Sequence, residues 1–180
     1  EDPSIYVKFP IRDHENHYIV IWTTTPWTIP ANVAVMVHPD FDYAFVRRGE
    51  EVLILLKDRV PEVVEGDYKI EKVVKGKELE GLEYIHPLRE EVRIQTKLGG
   101  VHRVVLSSEY VRAEEGTGCV HVAPGHGEED FEVGMEYKLP VVCPVDHKGV
   151  FTEDAGKYAG MYVRDANKYI VQDLARKGLL

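Results

Sequence analysis

The chain is 180 residues long, 44% hydrophobic and 29% charged, which suits one globular unit with a sizeable core. Its formal net charge of −9 excludes broad, sequence-independent binding to nucleic acid, because phosphate contacts need a basic surface, so any RNA contact has to be local. Two cysteines, Cys119 and Cys143, lack Cys-x-x-Cys spacing and read as buried thiols of a reducing, cytoplasmic compartment, and no apolar run reaches the roughly 20 residues of a membrane span.

The opening Glu1-Asp2-Pro3 has no signal-peptide pattern, and the missing initiator methionine suggests a piece excised from a larger protein. Ile5 to Phe9 alternates with period two and predicts a strand, joined by a polar hairpin connection, Asp13 to His17, to a second strand at Tyr18 to Trp22. That strand runs into Thr23-Thr24-Thr25-Pro26-Trp27-Thr28, where Pro26 has no amide hydrogen to continue a ladder. Val33 to Val37 is apolar throughout and predicts a strand buried on both faces. Tyr43 to Arg47 and Glu51 to Leu56 complete five short strands, implying a mainly antiparallel sheet that could hide its edges by closing into a barrel.

Further on, Tyr68 to Val74, Val92 to Thr96 and His102 to Leu106 read as strands, the last two joined near Gly99-Gly100. His86 and His102 are expected at the surface, since no second ligand stands at metal spacing. In Gly116-Thr117-Gly118, two glycines allow a close approach or a positive φ. Cys119 to Ala123 is a short strand broken by Pro124-Gly125, and Glu128-Glu129-Asp130 suits the first turn of a helix running to about Lys138 and burying Phe131, Gly134 and Met135. A turn at Lys148-Gly149 and a closing helix, Ala166 to Lys177, capped by Asp165 with Ala166, Tyr169, Ile170 and Leu174 on one face, finish the chain.

Two stretches carry candidate chemistry. Threonine hydroxyls stay protonated at neutral pH, yet they can fix the direction of a water, a carbonyl or a sugar hydroxyl. His121, His126 and Asp130 admit three readings: a metal site, a hydrolytic pair with His121 as base, or a carboxylate that receives a substrate ammonium. Spacing leaves all three open.

Taken together, Trp22 to Asn32, Val37-His38-Pro39 and the run from Gly116 to Asp130 resemble the inserted editing domain, connective peptide 1, of isoleucyl-tRNA synthetases. The related valyl and leucyl editing domains carry Thr-Thr-Arg-Pro where this chain has Thr23-Thr24-Thr25-Pro26, and lysine or methionine at the place of His121, which favours the isoleucyl type. The resemblance implies an α+β, β-barrel-rich single domain over residues 1–180 with a few peripheral helices. It also implies hydrolysis of the ester of mischarged Val-tRNA(Ile), and of valyl-adenylate as a second substrate, without cofactor or metal. Such proofreading exists because a pocket built for isoleucine cannot strongly reject valine, a limit known from these synthetases themselves.

In that family reading Asp130 binds the ammonium, Thr23, Thr24 and Thr25 position ester, water and ribose, Trp27 shapes the pocket and His121 blocks isoleucine's extra methylene. His121 would also be a partner for the water or ribose. Gly116, Thr117, Gly118, Gly125 and His126 would line the site through backbone atoms. The implied partners are the aminoacylated 3′ end of tRNA(Ile) and the rest of a parent synthetase in cis, with the protein acting as a monomer. The rival from another class is a non-catalytic β-barrel binding an RNA 3′ end, against which stand the acidic charge and the lack of clustered basic and aromatic residues.

Overall fold

The computed structural model describes residues 4–98 and 100–180; the expectations placed on Glu1 to Pro3 and Gly99 lie outside the described residues. Among the described residues eight strands form two sheets. The larger has the order β1 (Ile5–Pro10), β2 (His17–Thr23), β5 (Glu51–Leu56), β4 (Asp42–Arg48), β6 (Lys69–Lys75). Its pairings are antiparallel except β2 with β5, which run parallel. The smaller is β7 (Arg103–Leu106), β3 (Ala34–Val37), β8 (Cys119–Val122), with β3 parallel to β7 and antiparallel to β8.

Period-two alternation explains the packing. Val7, Phe9, Ile19, Ile21 and Ile54 point from the larger sheet into the main core, where they meet Val35, Val37, Val104 and Cys119 of the smaller one. Val20, Ala44, Leu53 and Leu55 face the other way and pack against Val60 of the short helix α1 (Val60–Val63). All four residues of β3 are buried, as its unbroken apolar run predicts. That strand carries the register that matters most: Val35 lies opposite His121.

Several expectations are corrected. Among the described residues strand pairing does not close into a barrel; β1 and β6 remain the edges of one sheet, β7 and β8 of the other. Val92 to Thr96 is not a strand, because Arg93–Lys97 forms helix α2 and turns Gln95 inward. His86 and His102 are 2% and 4% exposed, so they are core histidines. Cys119 is buried as expected but Cys143 is exposed. Helix α3 (Glu128–Tyr137) buries Val133 and Gly134, while Phe131 and Met135 stand in solvent, since the seat of Gly134 against Pro124 sets which face turns inward. The last helix, α4 (Val163–Arg176), begins earlier than Asp165, receives no side-chain cap, and buries Ala166, Ile170 and Leu174 but leaves Tyr169 exposed. It docks against the turn that follows the threonines, where the Asn167 Oδ1 accepts the Trp27 N–H at 2.9 Å.

Candidate active site

Pro26 ends β2 and starts a 3₁₀ turn, Pro26–Ala31, so the threonines occupy the corner between strand and turn. At that corner Thr23 Oγ1 accepts the Thr25 N–H at 3.0 Å and lies 3.4 Å from the Thr25 hydroxyl. Thr23 is buried, Thr25 half-buried and Thr24 exposed. The Thr28 hydroxyl, which the sequence reading left without a role, donates to the Thr25 carbonyl at 2.8 Å.

This hydrogen is decisive for His121. Because Thr28 has spent its proton on Thr25, its oxygen must accept from His121 Nε2, 2.9 Å away. On the other side of the ring, the Asn32 carboxamide nitrogen lies 3.3 Å from Nδ1 and donates to it. His121 is therefore a neutral Nε2–H tautomer with both nitrogens engaged. Burial lowers its pKa to about 4, with nearby His126 adding to the effect, so it stays neutral at pH 7.

The chain through Asn32 continues inward. Its Nδ2 also donates to the Ala34 carbonyl and its Oδ1 accepts from the Tyr84 hydroxyl. The Gln95 amide donates to the Pro30 and Asn32 carbonyls at 2.8 and 2.9 Å, and Gln95 Oε1 accepts from His102 Nε2 at 2.7 Å.

Across from the threonines, β8 leads through Pro124-Gly125 to α3, and Asp130 in the first turn reaches back so that Oδ2 accepts the Ala123 N–H at 2.9 Å. This is the only hydrogen bond of the Asp130 carboxylate among the described residues, and the other oxygen is free. Burial raises its pKa above the ordinary aspartate value, which marks a carboxylate short of a cation. Among the described residues His126 Nε2 is buried without a partner, and its ring and that of Trp27 meet at 85° with centroids 5.3 Å apart.

These groups enclose one cavity of about 340 Å³. Thr23, Thr24, Thr25, Gly116, Thr117, Gly118, His121, His126 and Asp130 all line it, so the two stretches that the sequence singled out are brought together. Trp27 and Gly125 do not line it: Trp27 supports His126 from outside, and a Cβ on Gly125 would lie 2.5 Å from the Val142 carbonyl oxygen. Thr117 is turned to structure, since its hydroxyl closes a local turn onto Cys119. Gly118 is at φ +73, with Leu56 2.7 Å from where a Cβ would be, so close packing and a left-handed backbone explain the glycine. The lining residues that the sequence reading missed are Trp22, Thr28, Tyr110, Arg112, Glu115, Cys119, Val120 and Ala123. Among the described residues no three His, Cys, Asp or Glu side chains gather as a metal-holding group.

A small cavity with oriented hydroxyls on one wall and an unpaired carboxylate on the other suits a substrate carrying an ammonium and a polarised carbonyl. The family model for the leucyl-tRNA synthetase editing domain matches residues 3–175, and the chain belongs to that family of synthetase editing domains. Within it the isoleucyl type suggested by the two motifs is supported by similarity to isoleucine–tRNA ligases. The chain is 58% identical to that of Methanothermobacter marburgensis over 180 residues, covering 100% of this chain and 17% of that protein. It is 54% identical to that of Sulfolobus acidocaldarius over 184 residues, covering 100% and 18%. The chain thus spans less than a fifth of the length of these relatives. In fold it is similar to the solved editing domain of P. knowlesi cytosolic leucyl-tRNA synthetase, with a TM-score of 0.69 at 10% identity over 100% of this chain and 96% of that one.

Proposed function

We propose that the chain hydrolyses the ester joining valine to the 3′-terminal adenosine of tRNA(Ile), releasing free valine, with valyl-adenylate as a second substrate. The observation that carries this reading is the single cavity lined by both the threonine corner and Asp130. The free oxygen of Asp130 receives the α-ammonium, which relieves the cost of burying an unpaired carboxylate. The Thr24 and Thr25 hydroxyls, with Thr23 holding the corner rigid, direct the ester carbonyl, the attacking water and the ribose hydroxyl.

His121 acts as a wall. Both of its nitrogens are engaged, so it fills the space that isoleucine's extra methylene would need and leaves water activation to positioning and polarisation. An ester is reactive enough for that to suffice. The 180 residues work as one editing domain within a longer cytoplasmic, monomeric synthetase, which supplies the remaining tRNA surface in cis.

Deacylation of valyl-tRNA(Ile) by the wild type and by Asp130→Ala tests the reading. The variant should keep its circular dichroism spectrum and lose about 100-fold in kcat/KM, the cost of one charge-assisted contact in a half-buried site. Retained activity removes Asp130 from ammonium binding. A wild type that binds the RNA end but leaves the ester intact indicates a binding module instead.

A further inference from the structure

The acidic chain gathers one cation and two aromatic rings at this cavity from distant parts of the sequence. Of the residues lining it, Arg112 is the only lysine or arginine, and Trp22 and Tyr110 line the same space. Arg112 is exposed and makes no hydrogen bond or ion pair among the described residues. Tyr110 is held from both ends: its N–H donates to Ser107 Oγ at 3.2 Å and its hydroxyl donates to Glu132 on α3. Trp22 Nε1 donates to Ser4 Oγ at 2.6 Å, and the ring lies close against Gly116, 3.2 Å from where a Cβ would stand.

Aromatic rings and an unpaired guanidinium are the groups that take nucleobases and phosphates in single-stranded recognition. The carboxylate of Asp130 and the guanidinium of Arg112 share one cavity, which matches a ligand bearing an ammonium and a phosphate. We propose that Arg112 receives the 5′-phosphate of the nucleotide whose ribose carries the aminoacyl ester, so that the chain reads the last nucleotide of the RNA by charge as well as reading the amino acid. This assignment rests on the deacylase reading above and extends it from the amino acid to the nucleotide.

Three substrates separate the possibilities: the 3′-valyl ester of adenosine, the same ester of adenosine 5′-monophosphate, and valyl-adenylate, whose phosphate lies between amino acid and ribose. In the wild type, kcat/KM for the phosphorylated 3′-ester should exceed that for the unphosphorylated one by about tenfold, carried by KM and weakened by salt. In Arg112→Ala the ratio should fall towards one, and Arg112→Lys should keep part of it, since a lysine retains the charge without the planar fork. Equal rates on both 3′-esters in the wild type, or a ratio that Arg112→Ala leaves unmoved, overturn the proposal while the deacylase stands. A loss confined to valyl-adenylate also overturns it, by moving the contact to the activated amino acid. Failure of the wild type on both 3′-esters and on the mixed anhydride valyl-adenylate instead defeats the deacylase reading itself.

Discussion

The cavity between Thr23 and Asp130 and the buried chain through Asn32, Tyr84, Gln95 and His102 are both built from polar side chains, and they treat those side chains in opposite ways. In the buried chain the Asn32 and Gln95 carboxamides and His102 Nε2 already meet protein partners, from Tyr84 on Asn32 to His102 on Gln95. In the cavity, one oxygen of Asp130, the Thr24 hydroxyl and His126 Nε2 are left open among the described residues. A satisfied polar group specifies structure, whereas an open one costs stability unless something arrives to meet it. His121 belongs to both regions: its ring borders the cavity, its Nε2 meets Thr28 at the threonine corner, and its Nδ1 joins the buried chain through Asn32.

The widest break of this contrast comes from acid. His102 and His121, ordinarily near 6.5, are both lowered to about 4 by burial, so the folded protein holds them neutral while the unfolded chain protonates first. Their contribution is complete above about pH 6.5 and is lost as pH falls towards 4, at up to about 1.4 kcal/mol per pH unit for each histidine. Burial lowers His86 as well, so urea unfolding at pH 7, 6 and 5 should show at least that slope, and His102→Gln should reduce it by about a third or less. An unchanged slope in the variant would show that His102 takes no part.

Next in size is Gln95→Ala, which strips partners from the Pro30 and Asn32 carbonyls and from His102. A loss of about 3 kcal/mol in unfolding free energy is expected from the stranded groups. A loss below about 1 kcal/mol would mean that water replaces the amide and that the chain is no scaffold. The smallest effect sharpens the boundary residue. His121→Ala should raise the ratio of isoleucyl-ester to valyl-ester hydrolysis by about tenfold, as the wall against one methylene is removed. Loss of both activities together would restore a base role to His121 and dissolve the division between wall and reacting groups.

Much of this was legible in the residues, and the failures have physical causes. Alternation located β1, β2, β4 and β5, and residues of the Thr23 to Thr28 and Gly116 to Asp130 runs line one cavity. Val92 to Thr96 alternates like a strand, but the Pro30 and Asn32 carbonyls needed a donor, and Gln95 supplies it only from a helical turn. His86 and His102 looked exposed because their partners, the Ile29 carbonyl and Gln95, are contacts that local pattern does not announce. Phe131 and Met135 read as the buried face of α3, yet the fit of Gly134 against Pro124 turned them outward. Thr28 stood within the motif, and its position three residues after Thr25 was the available signal for its bond to that carbonyl. Tyr110 and Arg112 carried no such local signal, since only folding brings them to Asp130.

The bond between Trp27 and Asn167 joins positions 140 apart in sequence, so the corner that aims the threonines is clamped by the final helix. Under the proposed deacylase, an alteration in α4 that never touches substrate would therefore blur selectivity by letting that corner drift. A screen confined to pocket-lining positions would overlook Asn167.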